Sequence, residues 1–243
     1  WFSDRVLTWY DRYGRTNLPW RQNRTPYRVW VSEIMLQQTQ VSTVAPYFES
    51  FIQRFPDVST LAAAKQDEVL AHWAGLGYYA RARNLHRAAN QIHKKLPNSF
   101  DSWLALPGIG RSTAGAIWSI AYGHRATILD SNVKRIVSRF HALEGYPGTR
   151  DTERNLWTLA EEHTPLHRAG DYAQGIMDFG ATLCKRSNPV CTDCPVSSRC
   201  LARARGLQDS LPKPRQTKTR PVHVVRAFLM IDPGGFCLLE HRP

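Results

Sequence analysis

Four cysteines, Cys184, Cys191, Cys194 and Cys200, lie in one stretch with six, two and five residues between them. Two thiols two residues apart can grip a metal centre from a single turn, and the flanking loops let the outer pair close around it. The spacing predicts a metal-pinned loop that neighbouring elements must accommodate. It does not choose the metal, because thiolates suit both zinc and iron–sulfur clusters, and a disulfide pair or four ordinary buried thiols also fit the residues.

The chain has 243 residues, 42% hydrophobic with eight tryptophans, enough to bury a sizeable core as one large domain or two modest ones. Its formal charge of +12 and sequence pI of about 9.8 predict a polyanionic partner, with nucleic acid the natural candidate. Residues 182–220 hold nine Lys/Arg against two Asp/Glu, +7 of the +12, so the cysteine loop and the basic patch coincide. No apolar stretch of about 18 residues is present to span a membrane. Five cysteines, four of them clustered, do not resemble the evenly used disulfides of a small secreted domain, and a reducing compartment is expected. The N-terminus carries no signal peptide, although it opens at Trp1 without a methionine and leaves room for a missing leader, and a cytoplasmic setting is expected.

Apolar residues recur at three- and four-residue spacing in Phe2–Tyr10, Tyr27–Gln38, Val44–Arg54, Glu68–Trp73, Leu85–Lys94, Ser112–Tyr122 and Val133–Leu143, which predicts an all-α protein. After Arg205 the composition turns to Pro212, Pro214 and basic residues, a linker. Residues 224–231 and 236–239 are strand-like around the turn Asp232-Pro233-Gly234-Gly235, and Cys237 is expected to be half-buried there.

Leu106-Pro107-Gly108-Ile109-Gly110-Arg111-Ser112 precedes an apolar helix. Two glycines permit a tight hairpin, so that N–H groups at the following helix N-terminus can face a phosphate. An ordinary glycine turn between core helices is the alternative. A second glycine turn, Gly75-Leu76-Gly77-Tyr78-Tyr79, leads into Arg81, Arg83, His86 and Arg87, a basic and aromatic surface suited to backbone contact and base insertion.

Two carboxylates complete the pattern. Glu33 lies within an apolar helix with Val29, Trp30, Leu36 and Gln37 on its face, where desolvation raises a carboxyl pKa and keeps a proton available near neutral pH; an exposed glutamate is the alternative. Asp130 stands before Ser131-Asn132-Val133 as a helix N-cap. Held by backbone N–H groups it is expected to stay ionised and to steady a cationic sugar.

The cysteine spacing, the hairpin Leu106–Gly110 and an aspartate 20 residues beyond it together resemble the helix-hairpin-helix DNA glycosylase superfamily with its [4Fe–4S] loop. Within it, residues 30–41, 75–86 and 129–135 look like adenine DNA glycosylases. The resemblance runs from near Trp1 to about Arg205 and implies an all-α, two-lobed fold. Residues 21–128 would form a six-helix domain holding the hairpin, 1–20 with 129–205 an iron–sulfur domain, 206–221 a linker, and 222–243 the start of a Nudix-like domain.

The resemblance also implies chemistry. The family flips adenine mispaired with 8-oxoguanine or guanine out of double-stranded DNA and hydrolyses its N-glycosidic bond. Glu33 matches the general acid, Asp130 the carboxylate that stabilises the sugar, and Asn132 its polar partner. Gln38 and Tyr78 match side chains inserted at the lesion, and Trp20, Leu36 and Gln174 match the walls of the base pocket. Gly108, Gly110, Arg111, Ser112, Arg81, Arg83 and Lys134 are assigned to DNA contact, and the protein is expected to act as a monomer. The family commonly carries glycine at Ser131, so the turn there is expected to differ slightly. Residues 222–243 are too few to fold alone, so poor discrimination between 8-oxoguanine and guanine is expected.

The related endonuclease III enzymes place a lysine where this chain has Ser112, and its amine drives strand cleavage through a Schiff base. A serine cannot form that adduct, which predicts a monofunctional glycosylase that leaves an abasic site. An endonuclease III-like pyrimidine glycosylase/lyase, a noncatalytic helix-hairpin-helix module and an electron-transfer protein remain the competing classes.

Overall fold

The computed structural model describes residues 1–92, 95–215, 224, 226 and 228–238. Helix starts follow local chemistry. Thr25 Oγ1 accepts from Arg28 N–H ahead of Pro26, a residue whose missing N–H costs nothing in a first turn, and the side chains of Asp57, Ser99 and Asp130 accept from Thr60, Ser102 and Val133 N–H. The described α-helices run Phe2–Tyr13 (α1), Pro19–Gln22 (α2), Pro26–Leu36 (α3), Val41–Arg54 (α4), Val58–Ala63 (α5), Gln66–Ala71 (α6), Ala80–Ile92 (α7), Phe100–Leu104 (α8), Arg111–Tyr122 (α9), Ser131–Phe140 (α10), Arg150–His163 (α11), Ala169–Thr182 (α12) and Leu201–Ala204 (α13).

Two cores organise them. Helices α2 to α9 enclose Trp30, Phe48, Phe51, Phe55, Trp73 and Trp103, with Trp30 and Trp103 edge to face at 5.6 Å. Helices α1, α10, α11 and α12 enclose Val6, Val137, Leu156, Ile176 and Phe179. Helix α9 joins them: Ala114 and Ile117 belong to the first core and Ala116 to the second. The site described below is lined from both groups of helices.

Helices α11 and α12 lie outside the segments that periodicity singles out. In α11 only Thr152, Leu156 and Ala160 are buried, too sparse an apolar stripe to stand out. Helix α12 contains three glycines, each unfavourable in a helix by about 1 kcal/mol relative to alanine. The gain is close approach: a Cβ on Gly180 would lie 2.5 Å from Asn132 Cβ, which brings α12 against the start of α10.

Packing continues past the boundary expected at Arg205, because Leu211 is buried against Ala142 and Ala202. The predicted turn at Asp232–Gly235 forms: Asp232 Oδ1 accepts from Gly234 and Phe236 N–H, both at 2.9 Å, and Ile231 and Cys237 make an antiparallel bridge. Cys237 is exposed rather than half-buried. The strand-like runs fall partly on residues 225, 227 and 239, outside the described residues. Among the described residues no helix is long and apolar enough to cross a membrane.

Candidate active site

A cavity of about 700 Å³ opens where α2, α3 and α12 meet the N-termini of α4 and α10. Its lining brings together Glu33, Asp130 and Asn132 with Trp20, Leu36, Gln38 and Gln174, residues scattered along the sequence. Trp20 is buried edge to face on Phe48, at 5.5 Å. Gln174 is 2% exposed. Its Oε1 accepts from Tyr10 OH at 3.4 Å, while its Nε2 has no partner among the described residues. A buried amide N–H without an acceptor is costly and marks a place for a polar ligand atom.

Glu33 and Asp130 line this cavity with only part of their surface accessible. Burial pushes the Glu33 carboxyl up to about 7; the Asp130 charge adds to the rise and Arg21 opposes it. Asp130 caps α10 as expected, with Oδ1 accepting from Val133 N–H at 2.8 Å and Oδ2 from Asn132 Nδ2 at 3.0 Å. Its pKa nevertheless moves up, against expectation, because burial outweighs those bonds. Two coupled carboxyls in one low-dielectric cavity favour a state with a single proton between them.

Further contacts set this pair in place. Arg135 Nη2 donates to Asn132 Oδ1 at 2.8 Å and to Gly180 O at 2.8 Å. Ser112 Oγ accepts from Leu129 N–H at 2.9 Å, immediately before Asp130. Ser131, at the position where glycine is common, is the first residue of α10, so the serine fits the helical start. Lys134 lies apart from the cavity, paired with Glu153 at 2.6 Å.

At the hairpin, Gly108 has φ +79°, and a Cβ there would meet Asn84 Cβ at 2.9 Å, so glycine is needed on both counts. Gly110 caps α9 with an ordinary φ of −92° and open space where a Cβ would stand. Arg111 lies over the Trp157 ring at 4.0 Å. Gln38 and Tyr78 both take left-handed backbone, φ +59° and +48°, and with exposed Arg83 line one surface depression. Tyr78 is 59% exposed.

Arg81 departs from its expected role. It is buried, and its guanidinium donates to the carbonyls of Ile34 (3.1 Å), Met35 (2.7 Å) and Gln37 and to Thr39 Oγ1 (3.0 Å). Its Nη groups are held by carbonyls and the Thr39 hydroxyl at and just after the end of α3, and its Nε is buried without a partner among the described residues, so it shapes the Gln38 turn and is not exposed to a phosphate. His86 is likewise buried, within 3.0 Å of Ala64 O.

Cys184, Cys191, Cys194 and Cys200 are all unpaired and line one apolar cavity with Ile136, Phe140, Phe179, Leu183 and Val196. Among the described residues, no three His, Cys, Asp or Glu close around a single ion. Four thiolates on one tetrahedral zinc at ~2.3 Å would stand only about 4 Å apart. The four thiols share one small apolar cavity, and thiolates suit both zinc and iron–sulfur clusters. Burial, with the neighbouring sulfurs contributing, pushes the Cys194 thiol up to about 12, so the donor set calls for compensating positive charge. Arg139 supplies a wall: Nη1 lies 3.4 Å from Cys184 Sγ, and the same guanidinium holds the carbonyls of Lys185 (2.6 Å), Arg186 (2.9 Å) and Leu211 (2.9 Å). Beside this loop, Lys134, Arg135, Arg186, Lys213 and Arg215 line a cleft of about 700 Å³.

Comparison with known families bears on this geometry. Residues 31–162 match the family described as HhH-GPD superfamily base excision DNA repair protein. This chain belongs to that superfamily. Its HhH-GPD fold aligns with a thermostable thymine-DNA glycosylase at TM-score 0.76 and 27% identity, covering 84% of this chain and 95% of the other. It aligns with endonuclease III from a non-covalent DNA complex at TM-score 0.70 and 19% identity, covering 85% and 95%. Among curated HhH-GPD relatives, an adenine DNA glycosylase of Buchnera aphidicola subsp. Schizaphis graminum is 47% identical over 205 residues, 83% of this chain and 59% of that protein. The adenine DNA glycosylase of Homo sapiens is 42% identical over 223 residues, 86% of this chain. The chain thus spans 59% and 41% of the lengths of these two relatives.

Three residues of this HhH-GPD site carry no signal in the sequence. Arg15 and Arg21 line the cavity, and both bind Asp178 of α12 behind it. Nothing local in the sequence marks either arginine or their shared partner far along the chain.

Proposed function

We propose that this chain is a monofunctional DNA glycosylase that removes adenine mispaired with 8-oxoguanine or guanine and leaves an abasic site. The observation that carries this is the Glu33 carboxyl, with its pKa raised to about 7, sharing one cavity with Asp130. The adenine DNA glycosylase relatives supply the base.

A stacked base cannot reach a buried carboxyl, so the adenosine must leave the duplex, at a cost of a few kcal/mol. Tyr78 and Gln38 stand ready to enter the gap. The open space at Gly110 and the N–H groups starting α9 suit a phosphate, so backbone contacts offset the cost of flipping. Trp20 and Leu36 wall the base, and the free Gln174 Nε2 offers it a hydrogen bond. Protonated Glu33 donates to adenine N7, so the base leaves neutral; its carboxylate then positions water. Asp130, steadied by Asn132 and Val133 N–H, balances the positive charge that builds on the sugar. Ser112 offers no amine for a Schiff base, so the strand is left intact.

The four cysteines would hold a [4Fe–4S] cluster. When bound it supplies structural pinning of the loop, which presents Arg186 and the adjoining basic cleft to DNA. The protein would act as a monomer on double-stranded DNA in the bacterial cytoplasm, with residues 206–221 leading to a Nudix-like unit that opens at 222.

The test is an oligonucleotide series with adenine opposite 8-oxoguanine, guanine, thymine and cytosine, treated with alkali to reveal abasic sites. Alkali-dependent cleavage at adenine opposite 8-oxoguanine and guanine, abolished by Glu33→Gln, is expected. Cleavage without alkali, or excision of a pyrimidine instead, overturns the proposal.

A further inference from the structure

An acid that must hold its proton near neutral pH is badly placed beside free cations, yet Arg15 and Arg21 line the same cavity as Glu33. Both are turned onto one carboxylate. Asp178 Oδ1 accepts from Arg15 Nε at 2.8 Å, Arg15 Nη2 at 2.5 Å and Arg21 Nη2 at 3.0 Å. Its Oδ2 accepts from Arg15 N–H at 2.9 Å and Arg21 Nη1 at 2.6 Å. Asp178 is 0% exposed, and these five donations leave its oxygens nothing to offer a substrate. Arg21 is itself buried, so its charge is poorly screened.

We infer that Asp178 is a positioning residue which neutralises Arg15 and Arg21 beside the cavity so that Glu33 keeps its acid form at neutral pH. This rests on the general-acid role proposed for Glu33. The surroundings of Glu33 leave few other groups to do so. Helix α2 contributes Arg21, the loop before it Arg15, and the N-cap of α10 contributes Asp130. Helix α12 contributes the neutral Gln174 to the lining and Asp178 behind it, while α4 and α9 contribute only Val41, Ser42 and Ile120. Arg81 of α7 is committed to carbonyls at the end of α3. Arg21 already pulls the Glu33 pKa down against burial and Asp130, so removing the counter-charge of Asp178 strengthens that pull. Although burial pushes the Asp178 carboxyl up, its bonds to Arg21 and Arg15 win and hold it below the usual range, so it stays charged wherever Glu33 titrates.

The experiment is single-turnover adenine excision against pH, on the full chain loaded with its cluster, for wild type, Asp178→Asn, Arg21→Gln and the double variant. Excision by the wild type falls as pH rises through the Glu33 pKa. In Asp178→Asn this limb should move down by roughly 0.5 to 1 pH unit, a loss of about three- to tenfold on the alkaline side beyond any change at low pH. Arg21→Gln should move it up, and the double variant should return it towards wild type. An Asp178→Asn enzyme slowed by the same factor at every pH, with its limb in place, makes the cluster a structural staple and overturns the inference. If Asp178→Asn does not fold, Arg21→Gln decides: a limb that stays or moves down overturns it equally. Loss of the underlying Glu33 role looks different, because Glu33→Gln would then excise adenine like wild type.

Discussion

Arg135 joins Cys184 to the N-terminal end of α10: its Nε donates to the Cys184 carbonyl at 2.7 Å, while Nη2 of the same guanidinium reaches Asn132 Oδ1 at 2.8 Å. One planar group thereby ties the cysteine loop to the residue that orients Asp130. Arg135→Gln cannot span both, and each lost charged bond is worth about 1.5–3 kcal/mol. Adenine excision should fall at least tenfold, with looser retention of the proposed cluster followed by its visible absorbance. Full activity with an intact cluster would show that the link is dispensable.

The Glu33 carboxyl, raised from 4.5 to about 7, makes stability depend on pH in a defined direction. Between those values the folded protein binds more protons than the unfolded chain, so this group's contribution falls as pH rises through that window and stays unfavourable above it. Glu33→Gln should stabilise the protein by roughly 1–3 kcal/mol at pH 8 and not at pH 4, while excision drops about 100-fold or more. Urea unfolding at the two pH values checks this; an equal gain at both would refute the titration.

Ser112 anchors the segment before Asp130 by accepting from Leu129 N–H at 2.9 Å. Ser112→Ala leaves that N–H unpaired and should cost about 1–3 kcal/mol of stability with slower excision. Borohydride should trap little of the wild type on DNA. A strong adduct lost in Ser112→Ala but kept in Lys134→Ala would contradict the monofunctional mechanism.

Gly180→Ala ought to favour α12 by about 1 kcal/mol on helix propensity alone. The added methyl would instead stand 2.5 Å from Asn132 Cβ, so α12 and α10 must part. A net loss of about 1–3 kcal/mol in unfolding free energy and a lower excision rate are expected. A variant more stable than wild type and equally active would show that the contact yields freely.

What could be read from the sequence is what is settled within a few residues. The cap at Asp130, the tight turn at Gly108 and the turn at Asp232 all depend on short-range hydrogen bonds and sterics, and the structure shows each of them in place. Glu33 could be placed on an apolar helix for the same reason. Only the tertiary structure decided which long-range partners these residues meet. Arg81 looked like a DNA contact until burial turned it onto carbonyls, and helix α12 was hidden by glycines whose value lies in what they touch. Asp130 was expected to be held low by its N–H bonds, but desolvation depends on everything packed around it and pushed it up. The pairing of Asp178 with two arginines behind Glu33 has the same origin, because burial and charge act through space between segments that the chain keeps far apart.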